Sequence, residues 1–126
     1  MSPSQKKGSA EATFERIRKF CLSLPDTTEK IAGGELTYRV RERIFVMFDN
    51  NHHHGDQIAI WCSAPDGAQE ALVASDPKNF FVPPYVGKGG WLGVRVDCGL
   101  PFKTLVALVE QAYHTTAAKG RGKRRR

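Results

Sequence analysis

A chain of 126 residues, 40% hydrophobic and 25% charged, has the length of one domain and enough apolar side chain to bury an ordinary core. It contains no apolar run of membrane-spanning length, and its first ten residues are polar with no signal-peptide core, so the expected address is the cytoplasm with no membrane partner. Cys21, Cys62 and Cys98 are odd in number and widely spaced without a Cys-x-x-Cys pair, which argues against a disulfide framework or zinc knuckle and reads as three small buried side chains.

The formal net charge of +6 is informative only through its distribution. Lys6, Lys7 and the six tail cations Lys119, Arg121, Lys123, Arg124, Arg125 and Arg126 take eight of the 19 basic residues, and neither end holds an acidic one. The remaining 11 basic residues stand against 13 acidic ones, so the body is formally −2. The high basicity belongs to the ends, which attract any polyanion in a salt-dependent way.

Residues 1–10 offer nothing to bury and are expected to be disordered, which leaves 11–117 as the folded domain and 118–126 as a disordered basic tail. Phe14, Ile17, Phe20 or Cys21, and Leu24 recur at helical spacing, with Glu15, Arg16, Arg18 and Lys19 on the outer face, and Pro25 ends the helix. Asp26 to Gly34 reads as a loop whose two glycines free the backbone before the sheet begins. From Glu35 the period changes to two: Leu36, Tyr38 and Val40 alternate with Thr37, Arg39 and Arg41, giving a strand with one apolar face and one carrying two guanidiniums. Glu42 marks a tight reversal. Ile44 to Phe48, apolar on both faces, predicts a strand inside the sheet. A polar, histidine-rich turn from Asp49 to Asp56 leads into a third strand, Gln57 to Cys62, completing an antiparallel meander.

Pro65 suits the first turn of a second helix that stops near Ser75, with Ala68, Ala71 and Leu72 facing inward. Phe80 and Phe81 then open a fourth strand or extended segment through Tyr85, followed by a glycine-rich turn. A fifth strand runs from Trp91, with Leu92, Val94 and Val96 on one face and Trp91, Gly93, Arg95 and Asp97 on the other. Pro101 begins a last helix whose stripe is Phe102, Leu105, Val106, Val109, Ala112 and Tyr113, fraying beyond Thr116. The order of elements predicts an α+β domain: an antiparallel sheet of about five strands with helices packed on one face.

Several of these stretches resemble the MmcQ/YjbR-like proteins. They are Thr37-Tyr38-Arg39-Val40-Arg41, Ala59-Ile60-Trp61, Ala64-Pro65, Asp76-Pro77, Phe80 through Gly87 with its Pro-Pro-Tyr-Val-Gly run, and Gly90-Trp91-Leu92-Gly93-Val94. Gly33, Leu36 and the Arg-rich tail depart from the pattern. The resemblance implies a double-wing, CyaY-like fold and a bacterial, cytoplasmic, DNA-binding protein.

No nucleophile is paired with a base at recognisable spacing, which favours a non-enzymatic protein without a cofactor. His52, His53 and His54 are neighbours in a turn and point in different directions, so they read as a solvated loop and no metal is assigned. Gly87-Lys-Gly-Gly90 lacks the helix start and the Gly-Lys-Ser/Thr ending of a phosphate loop and reads as a hairpin turn. The nucleic-acid reading has more substance. Arg39, Arg41, Arg43, Lys88, Trp91 and Arg95 would bring guanidiniums beside an aromatic on the uncovered sheet face, with the tail cations adding long-range attraction. The plain alternative is that Arg39, Arg41 and Arg43 pair with Glu35, Glu42 and Asp97 across strands. A second function class also stays open: Tyr85, Trp91, Phe81 and Trp61 lining a groove for a small ligand or peptide. The reading adopted is weak, largely non-sequence-specific DNA binding by a monomer.

Overall fold

The computed structural model describes the backbone of residues 3–50 and 58–124 and the side chains of residues 11–49 and 58–119. Its elements in chain order are α1 (Pro3–Ser23), β1 (Thr27–Ala32), β2 (Glu35–Val40), β3 (Arg43–Asn50), β4 (Ile58–Cys62), α2 (Ala68–Ser75), β5 (Phe80–Phe81), β6 (Leu92–Arg95) and α3 (Phe102–Arg124). The six strands form one open antiparallel sheet in the order β1-β2-β3-β4-β6-β5. Five of them fall on predicted segments; β1 replaces a predicted loop.

That correction has a local cause. Gly33 (φ 61°) and Gly34 (φ 87°) are the two central residues of a hairpin turn closed by the Ala32–Glu35 pair. Turns with two positive φ angles match the twist of the flanking strands and suit glycine. Thr27 to Ala32 lacks an apolar alternation because it is an edge strand with one neighbour and mostly exposed side chains. A second two-residue turn joins β2 to β3, with Arg41 (φ 52°) and Glu42 (φ 70°) at its corners and Val40 paired with Arg43. Arg41 therefore stands at a turn rather than on a strand face with Arg39.

Period two decides which face is buried. Tyr38, Val46, Cys62 and Leu92 form one cross-strand row, and Phe48, Ile60, Val94 and Phe80 the next, all on the helix-covered face. α1 contributes Phe14, Ile17 and Cys21 to this core, and α3 contributes Leu105, Val109, Ala112 and Tyr113. Phe14 stacks on Phe48 at 4.8 Å between centroids, and Tyr113 meets Phe45 edge-on at 5.5 Å. The two long helices are tied by the Arg16 guanidinium 3.8 Å above the Phe102 ring, while the Tyr113 hydroxyl donates to the Pro25 carbonyl at 2.7 Å. Cys21 and Cys62 are buried as expected; Cys98 is half-buried.

Three further differences concern element ends. α2 begins at Ala68 instead of Pro65, because Gly67 (φ 85°) caps it and Pro65 to Ala68 is a turn closed by the Ala68 N–H on the Pro65 carbonyl. No α2 residue is fully buried, and Ala71 is exposed rather than inward. The segment through Tyr85 pairs only at Phe80 and Phe81, since Pro83 and Pro84 cannot donate to a ladder. α1 and α3 are longer than their apolar stripes: helical backbone continues N-terminally to Pro3 and C-terminally to Arg124, into segments expected to be disordered. In α3 the extension follows from packing beyond Tyr113, where Thr116 and Ala117 are buried.

Candidate nucleic-acid interface

The strand ends at one side of the sheet meet the C-terminal half of α3 in an open groove of about 390 Å³. Arg39, Glu42 and Arg43 line it from the β2–β3 hairpin, Trp91 from the entry to β6, and Lys119 from α3, over a floor of Ile44, Ser63 and Thr116. A register shift between Tyr38 and Arg39 re-aims the strand at the hairpin's root, so that Arg39 faces Ile44. Ser63 holds α3 over the strand ends. Its hydroxyl lies 3.0 Å from the Ala112 carbonyl and 2.7 Å from Thr116 Oγ1, and its N–H donates to the Phe45 carbonyl at 3.1 Å. On the other wall the Gln69 amide donates to the carbonyls of Gly87 (2.8 Å) and Trp91 (2.6 Å), fixing the backbone that presents the indole. From β2 to β6 is three strand steps, so the groove reaches across about 14 Å.

Three cations face one carboxylate there, which makes the groove locally positive on a body that is formally negative. Among the described residues the ion pairs are those of Arg18 with Glu15 (3.3 Å) and Glu29 (2.7 Å); Arg39, Arg41, Arg43 and Lys119 take part in none. The cross-strand pairing alternative is thus not realised among those residues. Arg39 Nε is buried without a hydrogen-bond acceptor, while the half-buried Arg39 side chain lines the groove.

The other candidate residues are dispersed. Arg41 is exposed at the hairpin corner and Lys88 is exposed on the single 3-10 turn Gly87–Gly89. Arg95 stands at the far end of β6, four residues and about 13 Å from Trp91. Its guanidinium lies 5.4 Å from the Phe81 ring centroid and its N–H donates to the Asn79 carbonyl at 2.9 Å. Trp91 lines the groove and Arg95 does not: Trp91 immediately precedes the paired residues of β6, and Arg95 stands at the strand's other end. Arg121, Lys123 and Arg124 continue along the α3 backbone beyond the described side chains. Arg125, Arg126 and residues 51–57, which hold the three histidines, lie outside the described residues; Asp49 and Asn50, expected in that turn, instead end β3, paired with Ala59 and Ile58. Among those described, no group of three or more His, Cys, Asp or Glu side chains gathers to hold a metal, and no helix is long and apolar enough to cross a membrane.

The four aromatics of the ligand-groove reading do not converge here. Trp91 lines the groove, Tyr85 is 84% exposed on its loop, Trp61 is buried in the sheet, and the Phe81 ring covers Gly93. A separate hollow of about 250 Å³ has the opposite character, with Glu11, Glu15 and Glu35 around Phe14 and Leu36. Beside it the Arg18 Nε–H and the Tyr38 O–H both donate to Glu29 Oε2 at 2.7 Å, and the Arg18 bond, followed by that of Tyr38, holds the Glu29 carboxyl below its ordinary pKa.

Ser63, Thr116 and Gln69 escaped the sequence reading. Thr116 carried a weak signal, standing four residues after Ala112 on the apolar stripe. Ser63 and Gln69 have none, since their partners lie 49 or more and 18 or more residues away.

An open six-stranded antiparallel sheet with its helices on one face defines an α+β domain of double-wing type. The family model YjbR matches residues 22–115, and the chain belongs to the YjbR family. Among solved structures it is similar to the crystal structure of the Deinococcus radiodurans protein DR2400, of family-model domain DUF419. That likeness has a TM-score of 0.74 and 19% identity, covering 85% of this chain and 80% of that one. No curated protein matches.

Proposed function

We propose that this protein is a non-enzymatic, cytoplasmic DNA-binding protein that holds its partner through the strand-end groove and its basic C-terminal segment. The observation that carries this reading is the gathering of Arg39, Arg43 and Lys119 beside Trp91 in one open groove, with none of the three cations engaged by a carboxylate among the described residues. Guanidinium and ammonium groups contact phosphate oxygens, which are alike in every sequence, and an indole stacks on any base. Binding is accordingly weak and largely indifferent to sequence. The C-terminal cations Arg121 to Arg126 raise the encounter rate and the salt dependence.

The test is an NMR titration of the 15N-labelled chain ending at Lys119 with a short DNA. The reading expects shifts concentrated at Arg39 to Ile44, Ser63, Trp91 and Thr116 to Lys119. Shifts confined to any other face, or none with either single-stranded or duplex DNA, would refute it.

A further inference from the structure

The two edges of the sheet are finished differently. β5 is two residues long and runs into Val82, Pro83 and Pro84, which end its ladder. β1 is six residues long, pairs with β2 without a register shift and contains no proline, and Thr28, Lys30, Ile31 and Ala32 are exposed. The Ala32–Glu35 pair closes its hairpin and the Thr37 hydroxyl donates to the Lys30 carbonyl at 2.9 Å, so the backbone of Lys30 and Ala32 turns toward β2. By the alternation of an antiparallel strand, the N–H and C=O groups of Glu29 and Ile31 point out of the sheet.

On the helix face an apolar row reaches this edge and stops there uncovered. The register of β2 on β3 sets Leu36 next to Phe48, and Ile31 is paired with Leu36. Phe48 is buried and Leu36 half-buried, but Ile31 is 73% exposed. The hollow of about 250 Å³ opens along this end of the row, with Phe14, Leu36 and Phe48 as its apolar lining and Glu11, Glu15 and Glu35 around them. Arg18, the cation of that lining, is paired with Glu15 and Glu29. A strand added along β1 lies about 4.8 Å from it and places every second side chain on the helix face, beside Ile31. A lysine or arginine there lays its aliphatic stem over Ile31 and carries its charge toward the carboxylates of the hollow.

A second copy of the chain does not fit this edge. Two β1 strands related by a two-fold axis bring residues of the same face together, and the two central registers set Glu29 opposite Glu29 or Lys30 opposite Lys30. We propose that β1 is a docking edge for an extended, lysine- or arginine-rich segment of another protein, which joins the sheet as an added strand. The surface lies at the end of β2 opposite the strand-end groove, so the inference stands apart from the DNA reading.

The 15N-labelled full chain is titrated with an alternating lysine–threonine peptide of about eight residues, the length of a typical strand. Parallel titrations use the peptide N-methylated at every second amide, in one phase or the other, and a peptide with glutamate in place of lysine. The expected result is a set of shifts along Thr27–Ala32 and at Glu11 and Glu15. One phase of methylation should weaken binding about 5- to 100-fold and the other leave it, because alternate amides of an added strand face β1. Glu11→Lys combined with Glu15→Lys should weaken it at least about 5-fold, and the glutamate peptide should leave Thr27–Ala32 unshifted. Absence of shifts along β1, equal effects of the two methylation phases, or equal shifts with the glutamate peptide would overturn the inference. So would shifts along β1 that follow protein concentration without peptide, which would give the edge to a second copy.

Discussion

Gly93 shows how single residues set the shape of this sheet. A methyl group at that position would overlap the Phe81 ring, which lies across the backbone of β6. Gly93→Ala should therefore displace Phe81 and cost about 1–3 kcal/mol, seen as a thermal midpoint several degrees lower; an unchanged midpoint would show that the ring moves freely. The cysteines give a second test at this scale. Burial pushes the thiols of Cys21 and Cys62 up to about 12, with the neighbouring Cys62 adding to the effect on Cys21. In the folded protein a maleimide should modify Cys98 alone, and the other two only after unfolding. Labelling of all three at equal rates would contradict the packing.

Among elements, the β1–β2 hairpin was the one most easily misread. Gly33-Gly34 between two short runs is a hairpin signal, but Thr27 to Ala32 is so polar that periodicity alone places it in a loop. What makes it a strand is its pairing with β2 and the contact of Glu29 with Arg18 and Tyr38. This pins α1 to the sheet edge and has a pH signature. The Glu29 carboxyl is held below its unfolded value near 4.3. Its stabilisation is therefore complete above that value and disappears as pH falls through the lower, folded one. Glu29→Gln should lower stability at neutral pH, with the gap from the unsubstituted protein closing in acid; a gap constant with pH would contradict the assignment. Tyr38→Phe removes a donor from the same carboxylate and should cost about 1 kcal/mol by denaturant unfolding. By contrast α3 was plain in the sequence, because its stripe repeats over three turns and Pro101 and Phe102 mark its start. Its C-terminal reach was not, since Thr116 is buried by Ser63, a partner remote in sequence.

For the whole molecule, the charge count separated a basic tail from a weakly acidic body, and the fold refines that division. Lys119, grouped with the tail by composition, lines the groove, because α3 continues past Thr116 and carries it over the strand ends. Four of the groove's lining residues, Arg39, Arg43, Trp91 and Lys119, are candidates legible in the sequence, but their meeting is not. That meeting depends on a strand order in which β6 follows β4, and on a register shift at Tyr38 and Arg39. Arg95 was misplaced for the converse reason: alternation assigns a face, not a position along it.

The most direct measurement compares the salt dependence of oligonucleotide affinity for four forms: the full chain, the chain ending at Lys119, and each of these with Arg39→Ala and Arg43→Ala. Truncation should flatten the slope of log K against log salt by up to about 3 units for a single strand, because five cations are lost, while measurable binding remains. Adding the two groove substitutions should abolish the remainder. Truncation that removes all binding, or groove substitutions without effect on the truncated chain, would contradict it and leave the tail as the whole of the interaction.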